Sequence, residues 1–470
     1  MNAPKLLDIN EDSLDNLDYY EISMAYANYK TSFFGLESVF NLVVRDFPEN
    51  KVTGSFIYEN VKYDKLEKRD YMINAGLEQA MAVLLYCKGT KLFSEYLERK
   101  QGIIDKEFLT FIENASFKGN AYAMKEGEVF FPKEIQLRMH DTFEINQLYE
   151  TLMLNCINPE TNVASAANDI SLVSNNKILL EGGSRRAASP GSAVTNTRAA
   201  RIGGFQYSSL CRFGRFYDEE SGGTHSHSYV MLHPSEYSAF KAQAKVFKSK
   251  ACFLLDTYNV KNALETVAKI ANEENLESFG VRIDSGDLLK QARYIHEFMK
   301  INGLSNYWIV ASDDLNSSKI DYLERNNAGI EKYLIGTSLV CPPKPNPGVY
   351  KMAACKKNDA WIPTLKISEN KNKSTLPGIQ QVYRIIGADG YYTGDIIGLE
   401  GEDISQELKS YETYKELLIP VIKNGEQVYS CPKIDEISKY REEELAKFRE
   451  LKNYPVILSK GVEKLLEELL

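Results

Sequence analysis

A parallel α/β domain, either an α/β barrel or a doubly wound sheet, is predicted for the middle of this 470-residue chain. Three observations predict it. Short apolar runs at 250–257 (KACFLLDT), 278–286 (SFGVRIDSG), 307–314 (YWIVASDD) and 332–337 (KYLIGT) each end in polar or small residues. Their landmarks recur at 28, 28 and 24 residues, counted from Asp256 to Asp284, to Ser312 and to Gly336. Helical patterns fill the intervals at 262–274, 288–301 and 317–329; in the second, Leu289, Ala292, Ile295, His296 and Met299 recur at helical spacing. Strand, helix and strand at this interval read as successive βα units, with any site at the carboxyl ends of the strands.

The remaining elements follow in chain order. Residues 1–140 mix helical stretches with extended ones such as KVTGSFIY (51–58), which suggests an N-terminal α+β domain. QLYETLMLNCI (147–157) reads as the helix leading into the repeats, and KILLEGG (177–183) and THSHSYVM (224–231) as further strands, giving a barrel domain over 141–341. The proline-rich PPKPNPG (342–348) marks a boundary. Strand-like QQVYRIIG (380–387) and YYTGDIIGL (391–399) follow within 342–470, and the Lys/Glu-rich tail from Ile437 reads as solvated surface helix.

Composition narrows the function. With 43% hydrophobic and 26% charged residues the chain is globular, and its net charge of -9 disfavours a nucleic-acid or anionic-membrane surface. The start, MNAPKLLDINEDSLDNLDYY, has no apolar core of a secretory signal, and runs such as AMAVLLYC (80–87) are too short to span a bilayer. Seven scattered cysteines without a CxxC pair suggest reduced thiols. A cytoplasmic protein is expected.

Local charge is the sharpest anomaly. From Gly182 to Tyr217 there is no Asp, Glu or Lys, yet Arg185, Arg186, Arg198, Arg201, Arg212 and Arg215 occur among glycines and serines. The planar guanidinium fork suits bidentate phosphate or carboxylate, so an anion site is expected, the alternative being a surface arginine face. In the segment from Ser221 to Ser228, His225 and His227 share one face if it is a strand. A zinc pair, a structural histidine and a nucleophilic or acid–base histidine are all open. Asp284 and Asp287, and Asp313 and Asp314, close two strands, where they suit Mg²⁺, ribose hydroxyls or simple helix capping. Gly336, Thr337 and Ser338 offer amides and hydroxyls to a phosphate.

These residues, in this order, resemble nicotinate phosphoribosyltransferases. The resemblance is carried by DYYEISMAY (18–26), EGEVFFP (126–132), QLYETLMLN (147–155), EGGSRRA (181–187), GGTHSHSYV (222–230), LLDTYN (254–259), VRIDSGDL (281–288), IVASDDL (309–315), IGTSLV (335–340) and KISENKNKSTLPG (366–378). It implies the type II phosphoribosyltransferase fold, an irregular α/β barrel plus a second domain built from both chain ends, and a homodimer with sites at the subunit interface. It implies that nicotinate and phosphoribosyl pyrophosphate (PRPP) give nicotinate mononucleotide and pyrophosphate, the first step of NAD salvage, with Mg²⁺ and with ATP hydrolysis coupled through a phosphohistidine. By its place in the family pattern that histidine is His227, with Asp256 holding one imidazole nitrogen. Arg185 and Arg186 would take pyrophosphate or the nicotinate carboxylate, and Arg282 and Asp284 would contact PRPP. Asp284 and Asp287 would be offered to Mg²⁺; Ser312, Gly336 and Thr337 would hold the 5′-phosphate; Tyr20 would stack on the pyridine ring from the partner subunit. The chain departs from the family pattern at Asn259 (DTYN for DTYD), at Ser208 and Leu210 (GGFQYSSL for GGFxxTSN), at Ser226 (for Ala) and at AAND (166–169, for AAR). Nicotinamide preference and a non-catalytic ligand-binding relative are the alternatives.

Overall fold

The structure, a computed structural model, describes residues 14–58, 61–367, 374–409 and 411–470. Residues 368–373 of the KISENKNKSTLPG motif (366–378) therefore lie outside the described residues. The chain divides into two compact units, one of 1–49, 68–165 and 344–470, the other of 50–67 and 166–343.

The first unit interleaves both chain ends. Its seven-stranded sheet runs, in order, Ala360–Pro363, Val349–Lys357, Glu37–Val43, Ile135–Thr142, Asn120–Ala123, Ile419–Lys423 and Glu426–Gln427. The central pairings are antiparallel, with Phe40 opposite Met352 and Met139. Phe40, Leu42, Leu137, Met139 and Tyr350 are buried in one core with residues of the helices Leu77–Tyr86 and Lys106–Glu113. A four-stranded sheet orders Thr413–Glu416, Gln380–Ile386, Tyr392–Leu399 and Val456–Leu458. The tail is more than a solvated face. Val456–Leu458 adds a parallel strand to that sheet, and the helix Ile434–Leu445 buries Arg441 and Glu444.

The second unit is the predicted run of βα units. Its strands are β1 (Ile178–Glu181), β2 (Tyr207–Ser208), β3 (Cys252–Leu254), β4 (Phe279–Ile283), β5 (Tyr307–Ala311) and β6 (Lys332–Ile335). They form one all-parallel sheet in the order β3-β4-β5-β6-β1-β2. The helices are α1 (Pro190–Ile202), α2 (Cys211–Tyr217), α3 (His227–Leu232), α4 (Glu236–Phe247), α5 (Val260–Glu273), α6 (Leu288–Ile301), α7 (Ser317–Arg325) and α8 (Thr337–Val340). Side-chain caps start α5, α6 and α7: Asn259, Asp287 and Asn316 accept from the N–H groups of Asn262, Lys290 and Lys319. In α6, Leu289, Ala292, Ile295 and Met299 are buried as predicted, while His296 bonds outward to the Tyr307 hydroxyl and the Gly329 carbonyl.

One expected strand is absent. Residues 224–231 form a loop and then α3, so His225 and His227 do not share a strand face. Between β2 and β3 the described chain is helix and loop apart from an isolated parallel bridge from Ser221 to Ser208, and the two edge strands are not paired with each other. This leaves the barrel irregular. Among the described residues no helix is long and apolar enough to cross a membrane.

Candidate functional site

A cavity of about 220 Å³ opens at the carboxyl ends of β1, β4, β5 and β6. Parallel strands all present their last residues on one edge, so residues far apart in sequence meet there. Arg185, Arg186, Arg282, Asp284, Ser312, Gly336 and Thr337 line it, joined by Asp313 and Asp314.

The arginine-rich stretch divides by position. Arg185 and Arg186 lie exposed on a single 3₁₀ turn after β1, and neither forms an ion pair among the described residues. Arg198 and Arg201 are buried in α1, where Arg201 pairs with Glu219 at 2.9 Å. Arg212 and Arg215 lie 5.4 and 4.7 Å from the Phe216 ring. The continuous positive patch suggested by sequence thus reduces, at the cavity, to the exposed Arg185 and Arg186, supplemented by Arg282 from β4.

Arg282 is held in place. Its Nη2 lies 2.9 Å from Asp284 Oδ2, its Nε donates to Ser312 Oγ at 2.9 Å, and its Nη1 donates to Thr224 Oγ1 at 3.1 Å. The Ser312 hydroxyl is thereby an acceptor for Arg282 as well as a wall of the cavity. Thr224 was not singled out by sequence, because nothing in a lone threonine marks it as an arginine partner.

His227 begins α3 with its imidazole between two carboxylates. Nε2 lies 3.7 Å from Asp284 Oδ2 and 3.9 Å from Asp256 Oδ1. The other ring nitrogen has a partner that the sequence did not point to. Nδ1 is 3.1 Å from the Thr257 hydroxyl, whereas Asp256 accepts from Ser285 Oγ through Oδ2, and its buried Oδ1 has no hydrogen-bond partner. The reason is local: Asp256 and Thr257 are adjacent beyond β3, and α3 presents the two ring nitrogens to different ones of them. His225, in contrast, is buried, and its Nε2 accepts the N–H of Leu254. Burial holds its imidazole below the usual histidine range, so it is a neutral structural residue.

The acidic residues also sort themselves. Asp287 caps α6 and lies 3.1 Å from Lys290, and the Lys290 backbone N–H holds its carboxyl below the usual range; it is not part of the cavity wall. Asp313 and Asp314 are part of the wall, both in left-handed backbone (φ 87° and 43°), a conformation that non-glycine residues adopt at a cost. Among the described residues no three His, Cys, Asp or Glu gather into a metal centre. Tyr20 belongs to the first unit, in the helix Tyr19–Tyr29, with its ring 45% exposed; burial and the Glu150 carboxylate push its phenol up.

The departures from the family pattern keep or lose identifiable bonds. Asn259 caps α5 as an aspartate would, and Ser208 retains a hydroxyl, which donates to Glu181. Leu210 stands at the N-cap of α2 with no side-chain cap.

Family models described as the N-terminal and C-terminal domains of nicotinate phosphoribosyltransferase match residues 14–158 and 379–466. The nicotinate phosphoribosyltransferase of Bacillus subtilis is 31% identical, over 96% of this chain and 94% of its own length. That of Dictyostelium discoideum is 27% identical over 92% and 83%. In fold, the chain is similar to the crystal structure of human nicotinic acid phosphoribosyltransferase, with a TM-score of 0.80, 22% identity, and 96% and 99% of the two chains covered.

Proposed function

This chain belongs to the nicotinate phosphoribosyltransferase family, and we propose on that premise how its site joins nicotinate to the ribose 5-phosphate of PRPP, releasing pyrophosphate in NAD salvage. The observation that carries the reading is the cavity itself: three arginines and two glycine-bearing loops converge where four parallel strands end.

The chemistry follows from charge. The C1′–O bond to pyrophosphate breaks as the C1′–N bond to the pyridine nitrogen forms, through a transition state of oxocarbenium character. Arg185 and Arg186 face the anion that gains charge as it leaves, and each charge-assisted contact is worth about 1.5–3 kcal/mol. Asp284 faces the ribose and is oriented by Arg282, whose Nη2 lies 2.9 Å away. Gly336 and Thr337 supply backbone to the 5′-phosphate. The carboxylates on the wall, Asp284, Asp313 and Asp314, form no ready-made metal centre but would suit a divalent cation that arrives with the phosphates and needs only one or two carboxylates from the protein. When bound, Mg²⁺ would neutralise diphosphate charge there.

ATP coupling is assigned to His227. A ring nitrogen attacks the γ-phosphorus, the bond to the β-phosphate oxygen breaks, and ADP leaves; Thr257 and the two carboxylates orient and charge-balance the ring meanwhile. Family resemblance adds a homodimer in the cytoplasm, with Tyr20 of one subunit stacking on the pyridine bound by the other.

A chromatographic assay tests this. Full-length protein with PRPP and Mg²⁺ is given nicotinate, nicotinamide or quinolinate, with and without ATP. Mononucleotide from nicotinate alone, faster with ATP, is expected, and His227→Ala should bring the rate with ATP down to the rate without it. Product from nicotinamide instead, or none from any base, would overturn the reading.

A further inference from the structure

Glu181, the last residue of β1, is fully buried. Its Oε1 accepts from the Gly183 N–H, and its Oε2 accepts from the hydroxyls of Ser184 (3.2 Å), Thr197 (3.0 Å) and Ser208 (2.6 Å). One carboxylate therefore ties together β1, the turn that carries Arg185 and Arg186, helix α1 and strand β2.

All four donors are neutral. A buried carboxylate is costly unless its acceptor sites are filled, and a glutamine in the same place offers one acceptor oxygen where four donors converge. A simple packing role does not call for a charge here. What the charge supplies is acceptor capacity on both sides at once, toward the scaffold (Thr197, Ser208) and toward the turn (Gly183, Ser184). Beside Glu181, the turn's backbone is held from outside by the Cys341 thiol, which donates to the Arg186 carbonyl at 3.2 Å; Arg185 and Arg186 are themselves exposed and form no ion pair among the described residues, so their direction depends on the backbone beneath them. The departure at Ser208 supports the same view, because it retains the hydroxyl that reaches Glu181.

We propose that Glu181 is the positioning residue of the two-arginine turn and thereby sets the affinity of the site for the diphosphate group of its substrate. The proposal rests on the reading that Arg185 and Arg186 bind that group, and the experiment separates the two.

Full-length Glu181→Gln, Ser184→Ala and Arg185→Ala are compared with the parent for PRPP and nicotinate KM, kcat, pyrophosphate binding by calorimetry, and Tm. Glu181→Gln should raise the PRPP KM and the pyrophosphate Kd about tenfold, the size of losing one charge-assisted contact, with kcat and nicotinate KM within about twofold. Ser184→Ala removes only the turn-side hydroxyl and should move the same two constants about threefold with Tm unchanged, which keeps the test valid if Glu181→Gln folds poorly. Loss of pyrophosphate affinity in Arg185→Ala with none in Glu181→Gln or Ser184→Ala would overturn the proposal alone. Unchanged affinity in Arg185→Ala would overturn the reading of the arginines and the proposal with it.

Discussion

Gly183→Ala is the most discriminating perturbation of the cavity. Gly183 has an ordinary φ of -92°, so the substitution carries no backbone strain of its own and acts purely by contact. An added Cβ would sit 2.7 Å from the Gly336 carbonyl oxygen and 2.7 and 2.8 Å from the two methyls of Val340, where ordinary contact begins at 3.4 Å. The Val340 methyls can shift or be removed; the carbonyl belongs to the Gly336–Thr337 loop, which also lines the cavity. The arginine turn and the Gly336–Thr337 loop must therefore separate by roughly 0.7 Å. Overpacking of this kind costs about 1–3 kcal/mol, and sub-ångström misplacement of binding groups lowers kcat/KM for PRPP by about tenfold or more. Urea unfolding reads the first effect and initial rates against PRPP the second. Gly183→Ala combined with Val340→Ala should recover part of the stability and none of the PRPP affinity, because the carbonyl contact remains. Parental stability together with a PRPP KM within twofold would show that the two loops are not in fixed contact, and would refute the reasoning.

Three further outcomes follow from the same structure. Burial, with Arg138 nearby, lowers the His140 imidazole to about 3, so the unfolded chain binds a proton below pH 6.5 that the folded chain does not. Stability should then fall as pH drops, by about 1.4 kcal/mol per unit below 6.5, and His140→Phe should abolish that part of the slope in urea titrations from pH 7 to 5. Arg384 is fully buried and pairs with Asp395 and Glu128; Arg384→Leu leaves buried Asp395 without its cation, while Glu128 keeps Lys415 at 3.2 Å, and should destabilise by about 3–5 kcal/mol in the same unfolding assay. Leu210→Asn should supply the missing cap of α2 and raise stability by about 1 kcal/mol; an unchanged urea midpoint would mean the new side chain does not reach the first-turn N–H groups.

Much of the catalytic unit was legible in the sequence because its signals are local. The spacing of apolar runs, the helical periodicity of 288–301 and the polar residues closing each strand all report on neighbours along the chain, and the structure keeps them in β3 to β6 and their helices. Since parallel strands align their carboxyl ends, knowing which residues end the strands nearly amounts to knowing which line the cavity, as Arg282, Asp284, Ser312, Gly336 and Thr337 do. Where several backbone states were locally acceptable, tertiary packing decided. The segment 224–231 alternates like a strand yet forms a loop and α3, with buried His225 held by the Leu254 N–H of β3. Nothing local separates Arg185 and Arg186, which reach the cavity, from Arg198 and Arg201, which are buried in α1. The pairing of Glu37–Val43 with Val349–Lys357, more than 300 residues apart, is likewise invisible to a period-two pattern, which specifies a strand's two faces but never its neighbour. The sequence by itself determined the order of the elements and the residue types at each strand end. Only the tertiary structure decided which of those groups meet, that Thr257 bonds the His227 ring, and that one buried carboxylate, Glu181, anchors the arginine turn, because such contacts depend on distances the chain does not encode locally.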